Sequence, residues 1–166
     1  NLEGYEKGIC NNMIKVDDGI ILLCHANKIG EKMAPILVKI NKTGNVLEIT
    51  EIYNRKAIII GSTIRKTNMG IELTGSYSIE DKHCIFITLF SDNLHIIKST
   101  EYNIPYRLTI NGTTKSGKIF GAVLYEGGGY NNAIINFSDT RTTLLEFGSQ
   151  KSDLLIGIIN NSLFSY

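Results

Sequence analysis

The sequence repeats itself at intervals of about fifty residues, and this constrains the fold more than any other feature. Segments that open with Gly and alternate apolar with other residues recur as GIILLCHANK (19–28), GIELTGSYSI (70–79) and GKIFGAVLYE (117–126), with starts 51 and 47 residues apart. After each comes an apolar run ending in a polar turn: PILVKINKTGN (35–45), IFITLFSDN (85–93) and AIINFSDT (133–140). A third run follows at once: NVLEITEIYN (45–54), NLHIIKSTEYN (93–103) and RTTLLEFGSQ (141–150). A fourth precedes each Gly-led segment: ICNNMIKV (9–16), AIIIGSTIRK (57–66) and YRLTINGTTK (106–115), with SDLLIGIINN (152–161) standing alone at the end. A repeat of this length is one supersecondary unit, which cannot cover its own apolar faces and must stack on its neighbours.

Residue usage makes these runs strands. The chain has 27 Ile against 5 Ala, with 13 Thr, 8 Tyr and 6 Phe, and β-branched and aromatic side chains suit a pleated, half-buried surface whereas Ala suits a helix. Asp17-Asp18-Gly19, Asn68-Met69-Gly70 and Ser116-Gly117 supply turn residues between consecutive strands, and Thr43-Gly44-Asn45, Ser91-Asp92-Asn93 and Ser138-Asp139-Thr140 do so one hairpin later. The expectation is an all-β chain of four-stranded antiparallel meanders, three full units plus the first strand of a fourth, over about 9–54, 56–103, 105–150 and 152–166.

Stacking such meanders radially gives a β-propeller. Asp17-Asp18-Gly19 followed by IILL, LVKINKTGNVLEITEIYN (37–54) and TNMGIELTGSYS (67–78) resemble the blades of bacterial β-propellers built from degenerate repeats. The resemblance extends over nearly the whole chain and implies a propeller fold; the chain has no Trp and its third unit lacks the Gly-Asn turn, so no subfamily follows. Three and a third units do not close a ring of four to eight blades. Residues 1–166 are therefore expected to be either a single all-β domain or part of a larger propeller, with association through an unpaired strand edge as a further route to closure. A β-trefoil and a jelly-roll β-sandwich are the alternatives; the extra strand at 152–161 favours the propeller.

Seventeen basic and sixteen acidic residues give a net charge of +1 with no block of like charge, which leaves no electrostatic footprint for nucleic acid. The longest uncharged run, residues 154–166, is too short and too polar to span a bilayer. The start carries no basic segment followed by an apolar one, so no secretory signal is expected there. Cys10, Cys24 and Cys84 are odd in number and lie in no CxxC spacing, so they are expected as buried free thiols.

The motifs that could carry chemistry each have a plain structural reading. GTTKSGKI (112–119) matches the GxxxxGK part of a phosphate-binding loop, but Ile119 stands where Ser or Thr is needed and strands are expected on both sides, so it reads as a hairpin turn. The Cys24-His25 and His83-Cys84 neighbours would point to opposite faces of a strand, so no metal site is expected, and His95 has no partner by spacing. Asp17, Asp18, Glu80, Asp81, Asp92 and Asp139 supply carboxylates, several of them in turns where Asp is common for conformational reasons. A sialidase-like site is not supported: the chain has no Asp box and only four arginines, Arg55, Arg65, Arg107 and Arg141. No nucleophile elbow is visible. Four Asn-x-Ser/Thr triplets begin at Asn41, Asn111, Asn136 and Asn160; about two are expected by chance in a chain with this much Asn, Ser and Thr.

The insertion Glu126-Gly127-Gly128-Gly129-Tyr130-Asn131-Asn132 is the candidate ligand loop, with Tyr125 and Tyr130 offering stacking faces and Asn131 and Asn132 offering amide hydrogen bonds. The functional expectation is a non-catalytic module, extracellular or surface-exposed, that recognises a glycan or a protein through its inter-strand loops and needs no cofactor. The alternatives are part of a propeller glycoside hydrolase and a structural assembly or virion surface subunit.

Overall fold

The computed structural model describes residues 3–52, 58–114, 116–125, 129–138, 141–147, 155–159 and 162–165. The first sheet contains β1 (Lys7–Val16), β2 (Gly19–Asn27), β3 (Ala34–Asn41) and β4 (Val46–Glu51), in that order. The second contains β5 (Ile58–Thr67), β6 (Gly70–Ile79), β7 (Lys82–Phe90) and β8 (Ile96–Ile104), and the third β9 (Arg107–Thr113), β10 (Ile119–Leu124), β11 (Tyr130–Ser138) and β12 (Arg141–Phe147). Each is an antiparallel meander in which chain neighbours are sheet neighbours, without the crossovers of a Greek key. Where the sequence leads to a single strand at the end, there is a hairpin: β13 (Leu155–Ile159) pairs with β14 (Ser162–Ser165). The segment NNSLFSY hid this second strand because it is short and polar at its start.

The repeat is a repeat of register. Ile36, Phe86 and Ala133 hold the same place on the third strand of their sheets, opposite Glu51, Glu101 and Glu146 respectively. The leading glycines of the first two units answer one geometric need. A Cβ on Gly19 would stand 1.9 Å from the carbonyl oxygen of Ile40, and one on Gly70 2.1 Å from that of Phe90, so only a residue without Cβ lets the second strand start against the end of the third. The β3–β4 and β7–β8 ladders also slip by one residue at matching places, which leaves Leu47 and Ile97 as bulged residues, both more than half exposed.

The sheets bury their faces on one another. Val16, Ile21, Leu23, Leu37 and Ile52 of the first sheet pack against Ile64, Ile71, Leu73, Phe86 and Phe90 of the second. The other face of the second sheet, with Ile85 and Ile87, packs on Leu108, Ile110, Ile119, Val123 and Ile135 of the third. Burial on both faces is why β7 reads as the near-continuous apolar run HCIFITLF instead of an alternating one. Phe90 is fully buried, a contribution of about 2–3 kcal/mol from one side chain. The first strands lie beside one another in sequence, β1 by β5, β5 by β9 and β9 by β13. Side chains tie neighbouring sheets there: Asn12 Nδ2 on β1 donates to Thr63 Oγ1 on β5 at 3.0 Å, and Ser76 Oγ on β6 donates to the Leu108 carbonyl on β9 at 2.6 Å. No helix is long and apolar enough to cross a membrane among the described residues.

The cysteines correct the expectation of free thiols. Cys10 and Cys24 form a disulfide between β1 and β2, with Cα atoms 3.8 Å apart. In an unbroken ladder running back from Val16 and Gly19, Cys10 would face His25; a bulge at Asn11 slides it opposite Cys24 instead. The pairing is thus written in a register that sequence spacing does not display. Cys84 is the free, buried thiol, and its Sγ donates to Asn103 Oδ1 at 3.1 Å.

Candidate functional site

The four residues singled out around the glycine-rich insertion stay close together but divide by burial, with Asn132 in the interior and the other three half-buried. Residues 126–128 lie outside the described residues. On their flanks the Tyr125 amide donates to the Gly129 carbonyl at 2.9 Å, and Asn131 Nδ2 donates to the Tyr125 hydroxyl at 3.3 Å. Tyr125 is half-buried and packs on the core shared by the second and third sheets. Tyr130 begins β11, half-buried, opposite Leu124. Asn132 is fully buried, opposite Ala122, so it belongs to the interior and offers no surface to a ligand. Tyr125 and Asn131 come together as a pair, with Tyr130 beside them in sequence.

The remaining motifs resolve into local structure. GTTKSGKI connects β9 to β10 as a turn in which the Gly117 amide donates to the Thr114 carbonyl at 3.0 Å and the Lys118 amide to Thr114 Oγ1 at 3.1 Å; both flanks are strands. Cys24 is consumed by its disulfide, and His25, half-buried in β2, has its pKa lowered by burial. Ser78 and His83 face each other across the β6–β7 turn, Oγ to Nδ1 2.8 Å. Among the described residues no group of three His, Cys, Asp or Glu is placed to hold a metal. Asp18 and Asp92 are occupied by the lysines Lys39 and Lys66, and Asp139 lies outside the described residues.

A groove between the first and second sheets, about 250 Å³ in volume, gathers residues that no motif announced. Its wall is the face of β7 and β8 that looks toward the first sheet, built from three successive cross-strand pairs: Phe86 with Glu101, Thr88 with Ser99, and Phe90 with Ile96. Side chains two apart on a strand share a face, which places all six on one surface. The Thr88 and Ser99 hydroxyls hydrogen-bond at 2.9 Å. Tyr77 on β6 closes one end, its ring 6.2 Å from that of Phe86 and its hydroxyl donating to Glu101 Oε2 at 2.9 Å. Ile52 and Glu51, where β4 ends, form the facing rim.

The electrostatics of the two rim carboxylates differ. Glu51 Oε1 accepts a hydrogen bond from the Tyr5 hydroxyl at 2.8 Å and is ion-paired with Lys28, whose ammonium also stands 5.6 Å from the centre of the Tyr5 ring. Glu101 accepts from Tyr77, and no hydrogen bond or ion pair to a described residue engages its Oε1. Burial and then the neighbouring carboxylate raise Tyr5 to about 12. Burial, with Cys84 and Glu101 beside it, raises Tyr77 well above the usual phenol value. Both hydroxyls therefore stay protonated and act as donors. An apolar floor and an acceptor oxygen held in place by a neighbouring donor are features that binding sites share. Sequence reasoning missed Tyr77, Phe86, Thr88, Ser99 and Glu101; the signal available was the alternation in KSTEYN, which sets Ser99 and Glu101 on one face.

No protein-family model, no curated protein and no solved structure matches the chain.

Proposed function

We propose that the chain is a non-catalytic binding module of propeller type, which recognises a protein or glycan ligand through the loops and clefts between its strands and acts outside the cell or on a surface. The observation that carries this reading is the groove between the first two sheets, where polar groups are held as donors and acceptors by one another on an apolar floor. Sequential meanders stacked face to face, with their first strands side by side, support the propeller arrangement. A disulfide on the first hairpin supports an oxidising location.

The test is to screen the purified chain on glycan and peptide arrays, alongside the Tyr125→Ala/Tyr130→Ala variant, and to incubate it with a panel of chromogenic glycosides. Saturable binding to a defined set of ligands with no turnover is the expected result. Release of chromophore that depends on the chain's carboxylates would replace this reading with an enzymatic one. Failure to bind any ligand on either array would remove it.

A further inference from the structure

We infer that the groove between the first and second sheets is a receptor for a lysine side chain presented by a protein partner. The inference extends the binding reading to a specific site, and it stands or falls separately from the loop at Tyr125 and Tyr130.

The groove's size selects a small guest. At about 250 Å³ it lies below the range of pockets that hold drug-sized molecules, and it suits a single extended side chain. Exposed Ile96 and the small part of Phe86 that reaches the groove give that chain a track of apolar contact on either side of the Thr88–Ser99 pair, which suits the tetramethylene stem of a lysine, a stem that packs on apolar surface while its head stays polar. At the end of the track stands Glu101, which carries a negative charge with no described cation beside it.

The disposition of Glu101 favours lysine over arginine. A guanidinium pairs with a carboxylate through two parallel bonds and needs both oxygens. Here Tyr77 takes one lone pair of Oε2, so a two-oxygen fork would have to share that atom, whereas Oε1 has both its lone pairs. An ammonium is a compact charge with three rotatable donors, and one oxygen suffices for it. The Ser99 hydroxyl, on the same face two residues away, is within the same polar strip and supplies a second acceptor. Glu51 does not compete for the guest, because Tyr5 and Lys28 hold it.

The experiment follows amide shifts of the full chain by NMR during titration with the peptide acetyl-Gly-Lys-Gly-amide. Parallel titrations use the same peptide with Nε-acetyl-lysine, norleucine or arginine in place of lysine. The expected result is saturable shifts centred on Phe86, Thr88, Ser99 and Glu101. Affinity should fall about fivefold to tenfold for Nε-acetyl-lysine and norleucine, and in the Glu101→Gln variant by the same factor. Asp81→Asn, in the turn between β6 and β7, should bind as the unaltered chain does. Near-ultraviolet circular dichroism checks that Glu101→Gln keeps its packing, and Glu101→Lys serves as a second variant, which should abolish binding. Equal binding of lysine and norleucine peptides, tighter binding of the arginine peptide, unchanged affinity in Glu101→Gln, or shifts confined to other surfaces would each overturn the assignment.

Discussion

The Lys39 ammonium, carried on β3 of the first sheet, donates a 2.9 Å hydrogen bond to the carbonyl oxygen of Asp92 in the β7–β8 turn of the second. Its side chain is almost fully buried, and Asp18 lies 2.9 Å from the same nitrogen. One cation thus ties the first sheet's leading turn to the second sheet's trailing one. Replacing Lys39 with Ala removes both stem packing and charge and should destabilise the chain by about 1–3 kcal/mol. Lys39→Met keeps the stem and should cost less than half as much, because the freed turn oxygens lie near water. Equal losses for the two variants in urea unfolding would show that the charge alone carries the effect. The Lys39 hydrogen bond, ahead of its charge, lowers the Asp18 pKa below the ordinary 3.8. A lowered carboxyl stabilises the fold fully above its unfolded value, and this stabilisation is lost as pH falls through the folded value. The difference in melting temperature between the chain and Asp18→Asn should therefore be constant near neutrality and close at pH below about 3.8.

The leading glycines are expected to tolerate nothing larger. Gly19→Ala and Gly70→Ala each drive a methyl group into a carbonyl fixed in a ladder, at 1.9 and 2.1 Å, and should cost about 3 kcal/mol or more. Gly44 is the contrast: its φ is +89° but no atom lies within 4 Å of the added carbon, so Gly44→Ala pays only the left-handed penalty of about 1–2 kcal/mol. Thermal melts of the three variants check the order; a Gly44 variant as damaged as the other two would sink the close-approach argument.

Reducing the Cys10–Cys24 bridge should lower stability by about 2–3 kcal/mol, as expected from opening a loop of this length in the unfolded chain; the two residues are 14 apart. The same loss should appear in Cys10→Ala/Cys24→Ala, with a larger dependence on urea because the unfolded chain is then less confined. Coincident unfolding curves with and without reductant would contradict this.

At alkaline pH the tyrosines set the limit. A phenol whose folded pKa is raised stabilises the fold at every pH below its unfolded value, and the gain disappears as pH climbs through the folded one. Tyr5, raised to about 12, and Tyr77, raised further by burial and its neighbours, should ionise after the exposed tyrosines in a spectrophotometric titration. Tyr5→Phe should remove one late-titrating group and leave the ring packing in place. Loss of an early-titrating group instead would place Tyr5 outside its hydrogen bond.

The meanders were legible because their punctuation is chemical. Asp17-Asp18 and Thr43-Gly44 are required by local turn geometry, which is what a sequence displays. Turn residues stand directly before Gly19 and Gly70 and so mark where each second strand starts, although those glycines are needed for a close approach to the third strand. The disulfide was not legible: it depends on one bulged residue, Asn11, which nothing in ICNNMIKV distinguishes. The groove was hidden for a similar reason. Tyr77 and Glu101 are 24 residues apart and meet only after three strands have paired, so neither carries a mark of the other. The insertion after Tyr125 drew attention as the conspicuous glycine run, whereas the groove is lined by ordinary strand residues.

The bulges at Leu47 and Ile97 bear on the chain's behaviour in bulk. β4 and β8 are the last strands of their sheets, and a last strand has a row of unpaired amides that can recruit another molecule. A bulge crooks that row and spoils its straight spacing. Two molecules brought together where the bulges lie meet a crooked row of amides, which should disfavour shared pairing at that end of each strand.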